Sequence, residues 1–183
     1  TTGVDGIEEG EDVPVQVKLT GSELPDKVYL VSSQGKFLMN KMSKISSFYV
    51  LRKLKENTSF YFEANGFASD RYNINVIPKS AIGRFQAKLS YPAYLGKKEE
   101  IVSNAGDLEI PEGTEVEWSV LTKNTSKVNF KWDDSEQSFA DAGFKVKRKF
   151  RNSTGLNVAM TNASTKKTDS LNYRISVVKD AYP

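Results

Sequence analysis

Tyr173-Arg174-Ile175-Ser176-Val177-Val178 echoes an earlier stretch, Tyr72-Asn73-Ile74-Asn75-Val76-Ile77, at an offset of 101 (173 − 72). In both, apolar and polar residues alternate, which is the period-2 signature of a strand with one buried face. A second pair, Glu9-Gly10-Glu11-Asp12-Val13 and Glu112-Gly113-Thr114-Glu115-Val116, lies at an offset of 103 (112 − 9). Two matches near opposite ends of a unit, with nearly equal offsets, indicate an internal repeat. The 183 residues are therefore expected to form two units, 1–79 and 80–183, each near the roughly 100 residues of a small sandwich domain. The join falls at Pro78-Lys79-Ser80-Ala81, where proline ends the preceding strand and restricts the connection. A semi-rigid hinge is expected there.

Working outward, the same alternation recurs. In the first unit Val13, Val15, Val17 and Leu19 share one face, and Pro14 marks that strand as an edge or a strand start. A hairpin is expected from Val28–Val31 to Phe37–Met39 across Ser33-Gln34-Gly35, followed by strands at 48–52, 60–64 and 72–77. In the second unit the inward sets are Phe85/Ala87/Leu89, Val116/Trp118/Val120, Val128/Phe130/Trp132, Phe144/Val146/Phe150, Leu156/Val158/Met160 and Leu171/Tyr173/Ile175/Val177. No window of a dozen residues keeps a helical period free of competing alternation. Six or seven short strands per unit predict an all-β chain of two tandem immunoglobulin-like β-sandwich domains, with up-and-down barrels as the competitor. The first unit lacks a counterpart of residues 84–91. Its first strand is therefore degenerate within 1–8 or lies upstream, and residues 180–183 are expected to begin another linker.

Composition narrows the chemistry. With no cysteine and no histidine, thiol nucleophiles, Ser-His-Asp triads, His or Cys metal sites and imidazole switches are excluded. Apolar residues at 38% and charged residues at 27% supply a core and are too polar for a membrane protein. A net charge of +3 is small for a dedicated nucleic-acid binder.

Tyr91-Pro92-Ala93-Tyr94-Leu95-Gly96, Gly106-Asp107-Leu108-Glu109-Ile110-Pro111-Glu112-Gly113-Thr114 and the closing residues 173–183 resemble tandem immunoglobulin-like repeats of large membrane-anchored Bacteroidetes envelope proteins. The likeness covers most of the second unit and, in the first, residues 9–19 and 72–77. It implies a place outside the cytoplasm, periplasmic or at the cell surface, and a role as an ectodomain module. It carries over no catalytic residue.

Four features compete as candidate sites. Lys145, Lys147, Lys149 and Arg151 alternate with Phe144, Val146, Arg148 and Phe150, so a strand would gather four cations on one face, able to meet a polyanion in a salt-sensitive way. The plainer reading is a solvated face or a charged protective edge, and no aromatic is interleaved to stack bases. Trp118 and Trp132 could be sugar platforms, yet both run in phase with apolar neighbours and read as core. Carboxylates gather at Glu8, Glu9, Glu11 and Asp12 and at Asp133, Asp134 and Glu136. They are the remaining acid/base or calcium option, but the calcium-loop pattern is missing and two small sandwiches leave little room for a cleft. N-x-Ser/Thr sequons stand at Asn57, Asn124, Asn152 and Asn162, against roughly two expected from random placement, so chance explains much of the set.

No enzymatic activity, catalytic residue, cofactor or metal is expected. The expected role is a non-catalytic extracytoplasmic spacer or protein-interaction segment of a larger bacterial envelope protein; the alternative is a glycan- or polyanion-binding domain using the basic face. The expected partner is protein, either neighbouring repeats or an envelope component, with an anionic glycan second. Nucleic acid is disfavoured, and membrane contact would come only through an anchor in the parent protein.

Overall fold

The computed structural model describes residues 6–21 and 23–179. Contacts divide the chain into two compact units, Thr1–Lys79 and Ser80–Pro183. Both are all-β, and each is an immunoglobulin-like sandwich. The proposed linker start at 180–183 lies outside the described residues.

The first unit runs β1 (Ile7–Glu8), β2 (Val13–Lys18), β3 (Tyr29–Ser32), β4 (Gly35–Leu38), β5 (Asn40–Ser43), β6 (Ser46–Leu51), β7 (Thr58–Ala64), β8 (Phe67–Ala68), β9 (Tyr72–Ile74) and β10 (Val76–Ile77). One sheet has the order β2-β6-β5; the other has β4-β3-β7, with β7 also pairing β8 and β9. The predicted closing strand breaks at Asn75: β9 pairs antiparallel with β7, and β10 pairs parallel with β1. Val15, Leu30, Leu51, Leu54 and Phe60 form the core between the layers.

In the second unit β11 (Ala81–Ser90) leads through a short 3₁₀ turn, Ala93–Leu95, into β12 (Glu100–Ser103) and β13 (Leu108–Pro111). Then follow β14 (Glu115–Lys123), β15 (Thr125–Trp132), β16 (Glu136–Phe139), β17 (Gly143–Lys149), β18 (Thr154–Asn162) and β19 (Thr168–Val178). The sheet β12-β11-β14-β17 packs on the sheet β13-β19-β18-β15-β16. Alternation along β14 and β15 places Val116, Trp118 and Val120 against Val128, Phe130 and Trp132. Trp118 is fully buried, its ring 6.3 Å from those of Phe130 and Trp132 and edge-on to Phe150 at 5.8 Å. Neither indole N–H has a hydrogen-bond acceptor. The two tryptophans are core residues enclosed by other rings, as their phase in the sequence predicts.

The repeat is visible bond by bond. Gly10 and Gly113 both adopt left-handed backbone, at φ 83° and 81°, a conformation that glycine reaches without a Cβ penalty. Gly10 N–H donates to Leu54 O at 2.7 Å, and Gly113 N–H to Phe150 O at 2.8 Å. One residue earlier, Glu9 N–H donates to Ile77 O at 2.8 Å and Glu112 N–H to Val178 O at 2.9 Å. Each unit thus ties its Glu-Gly turn to its own last strand. That turn sits between a short strand running parallel to the last one, β1 on β10 or β13 on β19, and the long antiparallel strand that follows.

Candidate functional site

β17 holds Lys145, Lys147 and Lys149 on the outer face of its sheet, because Phe144, Val146 and Arg148 occupy the intervening inward positions. Arg151 lies just past the end of β17, so the strand carries three cations of the four that simple alternation predicts. β14 supplies their neighbours. Lys145 Nζ lies 2.9 Å from Glu117 Oε1, and Lys147 Nζ lies 2.8 Å from Glu115 Oε1. On the far side of β14, Lys88 of β11 pairs with Glu99 at 2.9 Å. Hydrogen bonding from Lys145 holds the Glu117 carboxyl below its ordinary range, and Glu115 raises the Lys147 ammonium in the same way. The outer face is therefore a lattice of both signs. Among the described residues Lys149 and Arg151 have no carboxylate at ion-pair distance.

The second acidic cluster has a structural task. Arg148 points inward, an odd position for a cation, and its guanidinium lies 5.0 Å from the Trp132 ring and 5.5 Å from that of Phe150. Its Nη2 donates to both oxygens of Asp134 at 2.8 Å, and its Nη1 to Ser135 Oγ at 2.6 Å. Hydrogen bonds from Arg148 and then from Ser135 keep the Asp134 carboxyl below the usual aspartate value. Next to it, Asp133 Oδ2 accepts from Thr154 Oγ1 at 2.9 Å and from Gly155 N–H at 3.1 Å. Asp133, Asp134, Arg148 and Thr154, together with residues 149–153, line an open depression. Both carboxylates are engaged in fixing the β15–β16 turn.

The first acidic cluster is used likewise. Asp12 Oδ1 accepts from Lys53 N–H at 2.8 Å, and Glu11 Oε2 from Glu8 N–H at 3.2 Å. Among the described residues no group of three or more acidic side chains is placed to hold a metal ion. Two sequons are structural as well. Asn162 is buried, its Oδ1 accepting from Ser164 and Thr165 N–H at 2.9 and 3.1 Å, and Asn57 Oδ1 accepts from Val76 N–H at 2.8 Å.

The Arg148–Asp134–Ser135 clamp is the arrangement that sequence reasoning missed. Its signal was a lone arginine at an inward position of an otherwise apolar face, which requires an anionic partner somewhere in the fold.

Neither a family model nor a curated protein matches the chain. A solved structure of Clostridium thermocellum CbhA fibronectin(III)-like modules aligns over 97% of this chain and 92% of that one, at 13% identity and a TM-score of 0.34. A likeness at that score carries no argument, and the sandwich assignment rests on the strand order and core given above.

Proposed function

We propose that this chain is a non-catalytic, extracytoplasmic module, a spacer or protein-interaction segment of a larger bacterial envelope protein. One observation carries the reading: a single sandwich plan occurs twice in succession, closed by the same Glu-Gly turn and by the same parallel pairing of the last strand with the short strand before that turn. Repetition of one structural unit sets length and spacing along a polypeptide. The disposition of the carboxylates supports the non-catalytic part, since Asp133 and Asp134 serve backbone and arginine partners. The chain has no cysteine, which makes placement directly testable. Asp141→Cys, at an exposed position in the parent protein, is expected to react with a membrane-impermeant maleimide in cells whose inner membrane is intact. Labelling that begins only after that membrane is opened would overturn the extracytoplasmic assignment.

The polyanion-binding alternative draws support from Lys149 and Arg151, whose charges are not offset by carboxylates among the described residues. On a heparin column, Lys149→Ala with Arg151→Ala should lower the eluting salt more than Lys145→Ala with Lys147→Ala, although each pair removes the same charge. Screening makes such contacts salt-sensitive. A wild-type protein that passes through unretained at low salt would end this reading.

A further inference from the structure

The pair β2-β6 of the first unit corresponds to the pair β14-β17 within the sheet β12-β11-β14-β17 of the second, with β2 matching β14 and β6 matching β17. β14 is flanked on both sides, by β11 and β17. β2 has β6 on one side and, among the described residues, no strand on the other.

Inward side chains register the difference. At the repeat offset of 103 (112 − 9), Val13, Val15 and Val17 match Val116, Trp118 and Val120. The second set is 0%, 0% and 4% exposed, with Leu89, Ala87 and Phe85 of β11 directly across the ladder. In the first set Val15 is 9% exposed, and Val13 and Val17 are half-buried. Among the described residues the first sandwich therefore lacks the strand that seals this layer in the second, and the outer edge of β2 keeps backbone groups that an added strand would satisfy.

We propose that the free edge of β2 receives an antiparallel strand with apolar side chains at three alternate positions, supplied by the same polypeptide from ahead of Thr1. The chemistry follows from β11, which fills the matching place. The source follows from its connection: β11 enters from the stretch directly before its unit, and the repeat offset puts the corresponding segment before Thr1. Pro14 offers no N–H, so the incoming strand loses at most one hydrogen bond there. The inference stands on the internal comparison and is independent of the cellular placement proposed above.

A synthetic peptide with the sequence of residues 80–91 is the probe. Added to the 183-residue protein, it is expected to slow amide exchange along β2 by about tenfold or more while leaving β14 unchanged. A scrambled peptide should do neither. No protection of β2 at millimolar peptide, or protection confined to the outer edges of β12 or β16, would show that Pro14 and Lys18 keep this edge closed to strands and would overturn the proposal. The second arm uses the protein extended by the residues encoded ahead of Thr1. Its β2 amides should already be protected and the peptide excluded. Peptide uptake at β2 in the extended protein, or a gene that encodes no alternating segment there, would overturn the assigned source.

Discussion

Trp118→Ala is expected to destabilise the second sandwich by about 3–5 kcal/mol, the range for removing a large ring from a well-packed core. The side chain is fully enclosed, with Phe130, Trp132 and Phe150 against it. None of these can refill the space without leaving its own contacts, so a cavity persists. For a domain of this size each kcal/mol moves the midpoint by roughly 4–8 °C. Thermal unfolding followed by near-ultraviolet circular dichroism should therefore show the second unit melting far earlier. Trp118→Phe should cost much less, because it keeps a ring in place and gives up an N–H that has no acceptor. A loss below about 1 kcal/mol for the alanine variant would mean that the two layers do not pack as described.

The second large effect lies in the shared turn. Gly10→Val and Gly113→Val each force a β-branched residue into left-handed backbone, which costs about 1–3 kcal/mol by itself. The two sites differ in their surroundings. A Cβ at position 113 would meet Pro92 Cγ at 3.1 Å, whereas at position 10 it meets nothing within 4 Å. Urea unfolding is expected to show both variants destabilised, with the loss at Gly113 the larger. Equal losses would mean that Pro92 yields freely, and no loss at either would remove the left-handed turn from the description.

These residues also show what the sequence disclosed. Long strands with a buried face announce themselves: Val116, Trp118 and Val120 had to point inward together because burial rewards one face of a pleat. Strands without an inward apolar pair do not. β5 is exposed at all four positions and β16 has only Phe139 partly covered, so their place comes from hairpin geometry that alternation does not encode. β1 falls inside the stretch 1–8 where a degenerate strand is one expectation, but its parallel pairing with β10, and β13 altogether, are not legible because two to four residues carry too little pattern. The basic face was only partly legible. Periodicity assigns Lys145, Lys147 and Lys149 to one side, but their partners Glu115 and Glu117 lie on another strand, and strand pairing is a property of the fold. Arg148 shows the same limit, since Asp134 reaches it across the sandwich.

The parallel seams give the repeat a mechanical character. When the ends of the first unit are pulled apart, its parallel end strands β1 and β10 slide along each other and their ladder bonds carry load together, whereas an antiparallel hairpin would peel open one bond at a time. The seam of the second unit spans four residue pairs, Leu108↔Ile175 to Pro111↔Val178, and that of the first spans two, Ile7↔Val76 and Glu8↔Ile77. In the second unit β11 and β12 come before β13, so tension meets the antiparallel ladders of β11 before it reaches that longer seam, and the two units are loaded differently.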